Sequence, residues 1–461
     1  MPSVTGEFCA AMLGAARGPL APAVRRAAGR SLLNVLGTAV SAAGSDAVRV
    51  LLAAADEAGG AGQVTVPGLA RTLDPYWAAL VTGTAAHLDD YDDTHLVTVI
   101  HPGAAALAAV LSLVPETAPS GAAFLGAFAA GCEAQLRIGC AISPAHYDHG
   151  WHITGTCGVF GAAVAACALL GLDARATARA LSLAATMTAG HREAFGTMTK
   201  PLHAGKAAAN GVLAARLAAQ GLAGPADPLG QGGVLEVLAA RLDRDALGLG
   251  WAAGHRWELE LNTIKTYPCG VVAHPAMDAA IIASARIAEL AGRAEISGVT
   301  LRCNPLVPEL MGLEQPDDGL RSRFSARHGV AACLLYGRAG LAEFSDAVAA
   351  APEVARLRAL ITLDADPAVA RDAAVLRVSL RPAPGRKPAG AWPSVEVAVE
   401  HTRGSAARPL TDDDLLDKVR ALFGPVLGER AAAGARDAIG KLPGAADTSA
   451  LLAAIRPEAR Q

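Results

Sequence analysis

The side chains that could carry out chemistry lie close together in an otherwise apolar, alanine-rich sequence. The segment 87–95 contains two histidines and four aspartates, and His101 follows shortly after it. Imidazole and carboxylate groups transfer protons, and they are also ligands for divalent metal ions. Both interpretations are open at this point, because a metal site would need further ligands from later in the chain. The available residues are His146, Asp148, His149 and His152.

The predicted local structure of this segment determines which of its side chains meet. If residues 78–94 form a helix, His87, Asp90 and Thr94 share one face through steps of three and four residues. Aspartates at a helix C-terminus oppose the helix dipole, which makes a solvated helix end an unfavourable alternative. We therefore interpret the segment as functional.

A second polar cluster, at 146–156, comes directly before a helix rich in glycine and alanine. It contains Tyr147 and His152, and Thr154 and Thr156 could cap the start of that helix. The free N–H groups of a helix N-terminus form a natural site for a carboxylate. The alternative is a polar loop whose threonines only cap the helix.

A third cluster, at 196–206, contains Lys200, Pro201 and His203. Pro201 suits the first turn of the helix that follows. Lys200 would then lie at the positive end of this helix among apolar residues, which disfavours its charged form. It could act as a base or bind a carboxylate, whereas the common alternative for a single lysine is exposure to solvent.

Two further polar segments occur later in the chain. The segment 264–275, with Lys265 and His274, lies where the sequence changes character, and domain junctions are favoured places for small-molecule sites. The segment 324–328, which ends with His328, is by itself only a helix start.

Helices predominate among the elements that must position these residues. Alanine-rich segments with helical spacing occur at 21–43, 76–89, 103–113, 121–141, 158–170, 174–190 and 203–219. Many of them are apolar on every side and are therefore predicted to be buried. Pro115, the 119–121 turn and the 171–173 turn are predicted to separate successive helices.

After about residue 265 the pattern changes to a mixture of helix and strand. A helix is predicted at 275–291, a loop at 382–391 and strands at 296–303, 375–380 and 395–399. The fold class is therefore predicted to be mostly α. We expect a large all-α domain at 1–265 and a smaller α+β domain at 266–410. The helices at 411–461 could pack back on the first domain.

The composition excludes several classes of function. Forty lysines and arginines against 43 acids leave a formal charge of −3, without the basic stripe of a nucleic-acid-binding protein. The most apolar stretch, 157–172, is shorter than the ~20 residues that a membrane span needs, so we expect a buried helix and no membrane partner. The eight cysteines have no zinc-ligand or iron–sulfur spacing. Reduced thiols and the lack of a signal-peptide pattern predict a cytoplasmic protein.

The polar segments, taken in order, resemble the MmgE/PrpD family, which includes 2-methylcitrate dehydratases, cis-aconitate decarboxylases and iminodisuccinate epimerases. The residues that carry the resemblance are 86–95 with 101–103, 150–156, 196–205, 265–269 and His274. The resemblance implies a large helical domain with a smaller α+β domain and a homodimer. It also implies proton transfer on a small polycarboxylate without a metal or another cofactor.

The resemblance also assigns roles to individual residues. The family's site pattern falls on Asp90, Thr94, His101, His152, Lys200 and Lys265, and Tyr147 lies where epimerase-like members carry a tyrosine. We expect His101 and His152 to act as base and acid in a dehydratase, with Asp90 orienting an imidazole. In an epimerase the pair would be Lys200 and Tyr147. Further candidates for substrate binding are Thr154, Thr156, His203, His274 and His328.

Two departures bear on the choice of reaction. Decarboxylase-like members carry a histidine one residue after the position of Cys269, where this chain has Gly270, and a tyrosine at the position aligned with His328. Both departures argue against a cis-aconitate decarboxylase. We expect a metal-independent, dehydratase-type lyase that acts on a small di- or tricarboxylic acid, because dehydration is the commonest activity that the resemblance implies. An epimerase is the alternative, a metal-dependent hydrolase is the third possibility, and a non-catalytic binding protein is the least favoured.

Overall fold

A computed structural model describes residues 3–249, 256–290, 293–383 and 394–458. Its first part is mainly helical, with two short antiparallel ribbons. The helices are α1 Val4–Arg17, α2 Pro22–Ser41, α3 Asp46–Glu57, α4 Pro75–Leu88, α5 Pro102–Thr117, α6 Gly121–Ile142, α7 Ala145–Asp148, α8 Ile153–Leu169, α9 Ala174–Ala185, α10 Thr199–Ala219 and α11 Val234–Leu238. The ribbons pair β1 Ala61–Thr65 with β2 Thr72–Leu73, and β3 Asp93–His95 with β4 Asn262–Ile264.

The second part combines helices with a four-stranded sheet, and three more helices end the chain. Its elements are α12 His274–Ala288, β5 Ala294–Cys303, α13 Leu306–Met311, α14 Gly319–Ser322, α15 Ala326–Tyr336, α16 Asp346–Ala349, α17 Pro352–Arg358, β6 Ile361–Ala365, β7 Ala374–Pro382 and β8 Val395–Val399. The terminal helices are α18 Asp412–Leu427, α19 Glu429–Lys441 and α20 Ser449–Ala454. The mostly α fold class with a smaller α+β part is confirmed.

The sheet has the order β6-β5-β7-β8 and is antiparallel except where β5 runs parallel to β6. Along β7 buried side chains alternate with exposed ones, because only one face of the sheet is covered by helices. The three strands predicted from alternation are present. Strand β6 was not predicted, because Ile361 is its only fully buried residue and its apolar pattern is weak.

Two hydrophobic cores organise the chain. The larger one joins the helices of the first part to Leu415, Val419 and Phe423 of α18, so the terminal helices pack against the first part. The smaller one fills the space between the sheet and helices α12 and α15. The domain boundaries near 265 and 410 stay a prediction.

Helix α8 lies at the centre of the larger core. Every residue from Ile153 to Cys167 is buried, and the helix is surrounded by α5, α6, α9 and α10. The apolar stretch 157–172 therefore belongs mostly to a core helix, as expected. Among the described residues one straight helical segment, Val271–Ala288, has the length and composition of a membrane span. It packs on the sheet in the smaller core.

Helix α4 ends at Leu88, next to the predicted end at residue 89. Asp90 adopts a left-handed conformation with φ of 49°, so the helix does not continue to residue 94. Two predictions of local structure were wrong. Pro115 does not end α5, which continues for two more residues to Thr117 although proline supplies no N–H to the helix. Helix α9 ends at Ala185 rather than at residue 190. The predicted loop at 382–391 lies largely outside the described residues.

Glycine allows α10 to approach α4 closely. A Cβ atom on Gly205 would lie 2.1 Å from the carbonyl oxygen of Leu80. We expect Gly205→Ala to lower the free energy of unfolding by roughly 1–3 kcal/mol, because the two backbones would have to separate. Gly14→Ala, where nothing lies within 4 Å, is the matched control and should be neutral or stabilising. Urea unfolding measures both, and equal stability of the two variants would contradict the close contact.

Candidate active site

The four aspartates between 89 and 93 are buried, and each pairs with a different part of the chain. The left-handed turn at Asp90 lets consecutive side chains point in different directions, which a continuous helix would not allow. Asp89 accepts a hydrogen bond from Arg323 at 2.8 Å, which connects the end of α4 to the smaller core. Burial raises the pKa of Asp89, and Arg323 opposes that change.

Asp90 pairs with both lysines of the predicted site. Its carboxylate contacts the ammonium groups of Lys200, in the first turn of α10, and of Lys265, just after β4, the latter at 2.9 Å. Lys265 also donates to the backbone carbonyl of Asp90 at 3.0 Å. Burial alone would raise the pKa of Asp90, but the two ammonium groups outweigh burial and hold that pKa well below its usual range. One carboxylate and two ammonium groups leave a net charge of about +1.

Asp92 orients two histidines at once. Its two carboxylate oxygens lie 2.8 Å from Nδ1 of His87 and 2.9 Å from Nδ1 of His101. A carboxylate only accepts, so Nδ1 of His101 carries the proton and Nε2 keeps a lone pair. Nε2 of His101 lies 3.8 Å from the Asp90 carboxylate. Burial lowers the pKa of His101 to about 3 although Asp92 opposes this, so the imidazole is neutral at neutral pH.

Asp92, rather than Asp90, is therefore the acid that orients an imidazole. The sequence interpretation missed it because a helix over 78–94 would have placed Asp92 away from His87. The only signal was its position inside the cluster of acids and histidines. Thr94 also contacts Nδ1 of His101, at 3.3 Å.

A second pair of histidines lies nearby. The Nδ1 atoms of His152 and His203 are 2.9 Å apart, so one of them is protonated and donates to the other. The ring of His152 stacks on His87 with centroids 5.5 Å apart. Burial, followed by the neighbouring His87, lowers the pKa of His152 well below its ordinary value. Burial lowers that of His203 to about 4.

Three helices begin at this site. His101 is the residue before α5, His152 is the residue before α8, and Lys200 is in the first turn of α10. The positive ends of three helix dipoles therefore converge on one place, which favours a bound anion and disfavours protonated imidazoles.

These residues line a cleft between the two cores with a volume of about 470 Å³ including its open mouth. The predicted residues that line it are Asp90, Thr94, His101, Tyr147, His152, Lys200 and Lys265. The sequence interpretation missed the apolar wall, formed by Val99, Phe195, Val271, Val272, Leu310, Met311 and Phe324. Isolated apolar residues carry no distinctive sequence signal.

Two arginines lie near the mouth of the cleft, and each is paired with an acid. Arg192 donates to Glu309 of α13 at 2.8 Å and lies over the ring of Tyr147, 4.4 Å from its centroid. A neighbouring surface depression shares Phe195 and Phe324 with the cleft and includes Arg321.

Other predicted residues lie behind the cleft or away from it. Thr154 accepts a hydrogen bond from the backbone of His101, and Thr156 contacts His146, so neither caps α8. Helix α8 begins before both threonines, which places them inside its first turn. His203 contacts His152 through the two Nδ1 atoms described above and does not itself line the cleft. The two remaining candidates are His274 and His328.

His274 lies behind Lys265 and contacts the carbonyl oxygen of Cys269 at 3.3 Å. His328 belongs to the smaller core, where it contacts the carbonyl oxygen of Glu343 at 2.9 Å and the ring of Phe344. The structure does not bring His328 to the cleft. The departure at position 328 therefore carries no information on the reaction, whereas Gly270 does line the cleft.

His87, Asp90, Asp92 and His101 are close enough together to surround a metal ion. The carboxylate oxygens of this group are already engaged, however. Asp90 holds two ammonium groups, and each oxygen of Asp92 holds an imidazole. A divalent cation would have to approach two buried ammonium groups, which repel it. The further ligands considered from the sequence include His146, which instead contacts Leu238 and Thr156.

Comparison with known proteins gives consistent matches along the chain. The family model of the MmgE/PrpD N-terminal domain matches residues 7–243, and that of the MmgE/PrpD C-terminal domain matches residues 267–442. Cis-aconitate decarboxylase from Homo sapiens is 30% identical over 311 residues, which are 64% of this chain and 62% of the human protein.

Two other relatives cover different shares of the chain. Cis-aconitate decarboxylase from Aspergillus terreus is 27% identical over 424 residues, 85% of this chain and 83% of that protein. 2-Methylcitrate dehydratase from Cupriavidus necator is 35% identical over 113 residues, 23% of this chain and 22% of that protein. The chain thus spans 62% of the length of its human relative, and the relatives differ in their reactions.

The buried histidines make stability depend on pH. Burial lowers the pKa of seven histidines below the unfolded value of about 6.5, namely those of His87, His101, His146, His152, His203, His274 and His328. The folded state then binds fewer protons than the unfolded state. Asp93 and Glu133, whose pKa values burial raises to about 7, oppose this trend but are fewer.

We therefore expect the free energy of unfolding to fall as the pH decreases from about 6.5 toward 4, by up to about 1.4 kcal/mol per pH unit for each neutral histidine. His328→Gln should reduce the slope by close to one proton, because burial lowers its pKa to about 4. Urea unfolding at several pH values measures the slope, and a slope of His328→Gln equal to that of the unaltered protein would contradict the assignment.

Proposed function

This chain belongs to the MmgE/PrpD family, and on that premise we propose that it is a dehydratase-type lyase acting on a small tricarboxylic acid. The observation that carries the proposal is the pair of Asp92 and His101 in the wall of the cleft. It supplies a neutral, oriented imidazole beside two ammonium groups. The relatives are named for reactions of cis-aconitate and 2-methylcitrate, which are both tricarboxylic acids.

The difficult step is the removal of a proton from a carbon atom beside a carboxylate. Negative charge then develops on the carboxylate oxygens, and it must be stabilised by fixed positive groups. Lys200 and Lys265 supply two positive charges, and Asp90 neutralises one of them. The two ammonium groups suit a substrate carboxylate placed against them, because Asp90 alone cannot neutralise both. The converging helix N-termini add to the same field.

His101 is the proposed base. Its Nε2 accepts the proton from carbon, while the electron pair of the C–H bond forms the new double bond. Asp92 stabilises the imidazolium that results and keeps Nε2 turned toward the cleft. The low pKa of free His101 keeps it unprotonated before substrate binds.

His152 is the proposed acid. If His203 donates to Nδ1 of His152, the proton of His152 lies on Nε2, where it can pass to the departing hydroxyl group. The C–O bond breaks and the hydroxyl leaves as water. His101 gains one proton and His152 loses one, so the two histidines together take up no net proton. Proton exchange with solvent then returns each histidine to its starting protonation state.

Gly270 argues against decarboxylation. At this position decarboxylase-like members carry a histidine, whereas here a Cβ atom would lie only 2.3 Å from the sulfur of Met311. A histidine side chain would need Met311 to move, so the cleft of this chain offers an apolar wall where those members offer an imidazole. An epimerase is the second candidate, because Tyr147 and Lys200 both line the cleft and could act on one carbon.

We further propose that the reaction needs no metal ion. The support is that Asp90 and Asp92 already hold cationic or imidazole partners, so their oxygens are not available as ligands. The two lysines supply the positive charge that a metal ion would otherwise bring.

Proton NMR in deuterated water tests the reaction class. Purified protein is incubated with a panel of di- and tricarboxylic acids, with and without EDTA, and circular dichroism confirms that it stays folded. We expect an unsaturated product and deuterium incorporation beside a carboxylate, both unaffected by EDTA. Deuterium exchange with inversion and no loss of water would favour the epimerase. Loss of carbon dioxide would indicate a decarboxylase. Loss of activity in EDTA with an unchanged circular dichroism spectrum and an unchanged Tm would contradict metal independence of the reaction.

The role of Asp92 is tested by Asp92→Asn. The amide does not hold Nδ1–H of His101 in one tautomer, so we expect kcat to fall by about 10²- to 10⁴-fold while KM changes little. The matched control is Asp372→Asn, because Asp372 makes a similar contact at 2.6 Å with the exposed His401. Steady-state kinetics should give the control a kcat equal to that of the unaltered protein. An Asp92→Asn variant with full kcat would exclude His101 as the base.

A further inference from the structure

A second group of possible metal ligands lies outside the cleft. It consists of His95 in β3, Cys140 in the last turn of α6 and Glu258 at the start of a 3₁₀ turn. One donor atom from each residue lies within 4.8 Å of the other two. None of the three residues lines the cleft.

One nitrogen of the His95 imidazole lies in this group without a well-aligned hydrogen-bond partner. Its Nδ1 contacts the hydroxyl oxygen of Thr98 at 2.9 Å, which itself accepts a hydrogen bond from the backbone of Ile100. Its Nε2 lies 3.2 Å from the Glu258 carboxylate, yet it is fully buried and makes no hydrogen bond within the described part of the chain. Buried polar atoms without a partner are uncommon and call for an explanation.

We propose that His95, Cys140 and Glu258 bind a divalent transition metal ion of the zinc type. An imidazole nitrogen, a thiolate and a carboxylate are the donors that Zn²⁺ prefers, and three such ligands leave one position for water. The contact between His95 and Thr98 would fix the ring orientation, as hydrogen bonds to metal-bound histidines commonly do. Binding replaces the thiol proton of Cys140, which passes to solvent.

The surroundings hold the ligands in place and leave a path from solvent. Glu133 accepts hydrogen bonds from the backbone N–H groups of Glu258 and Leu259, at 3.1 and 3.0 Å, so the turn is already formed. Glu133 also pairs with Arg137, so the positive charge of this guanidinium group is offset. The side chain of Glu258 is 28% exposed, so an ion can reach the group from outside.

A metal ion here would connect three elements next to the cleft. His95 follows Thr94 directly, and β3 pairs with β4, which leads to Lys265. The ion would thus stabilise the strand that carries part of the site without touching the substrate. The inference does not depend on the proposed reaction.

Cobalt binding tests the site, because Co²⁺ bound to a thiolate gives a charge-transfer absorption band in the near ultraviolet. The full chain is freed of metal with a chelator, dialysed and titrated with Co²⁺. We expect a thiolate band that saturates at one ion per chain and disappears when Zn²⁺ is added. The His87, Asp90, Asp92 and His101 group contains no thiol and cannot give this band.

Two cysteine variants make the assignment specific. Cys140→Ala should abolish the band, whereas Cys303→Ala, which removes a buried thiol in β5, should retain it. Glu258→Gln should weaken Co²⁺ binding at least about 10-fold. Zn²⁺ should raise the Tm of the unaltered chain and of Cys303→Ala but not of Cys140→Ala. No band in the unaltered chain, or a band that persists in Cys140→Ala, would overturn the proposal.

Discussion

The pairing of the Asp90 carboxylate with two buried ammonium groups is the interaction on which the rest of the structure depends. Lys200 comes from the helical core and Lys265 from the junction between the two cores, so one carboxylate connects both sides of the cleft. Losing one partner of a buried ion pair costs about 3–5 kcal/mol, because the remaining charge stays buried. The cluster therefore fixes the relative position of its elements, and its two ammonium groups can also bind an anion.

The neighbouring residues extend this constraint to the smaller core and to the end of the chain. Arg323 pairs with Asp89, and Lys418 of α18 donates at 2.7 Å to the backbone carbonyls of both Tyr91 and Lys265. Helix α18 thus binds the backbone at two places beside the cluster, at Tyr91 and at Lys265. The acidic segment is stable in the interior only because each of its charges has its own partner. The same arrangement produces a neutral, oriented imidazole, which a proton-transfer reaction requires.

The sequence by itself determined the fold class and most of the residues that line the cleft. Apolar helical periodicity predicted the large helical core, and alternation predicted three of the four strands in the sheet. Rare ionisable residues in an apolar chain identified Asp90, His101, His152, Lys200 and Lys265, because burying such groups without a use is costly. These patterns involve residues that are close together in the sequence, so they can be recognised before any tertiary contact is known.

Only the tertiary structure decided which groups pair. A single left-handed residue, Asp90, ends the expected helix and directs Asp92 to His101, so the orienting acid could not be assigned from helical spacing. His328 was a candidate in the sequence but belongs to the smaller core. Cys140 had no zinc-ligand spacing, yet folding brings it to His95 and Glu258. Contacts between residues far apart in the chain depend on how helices pack, and no local pattern encodes that geometry.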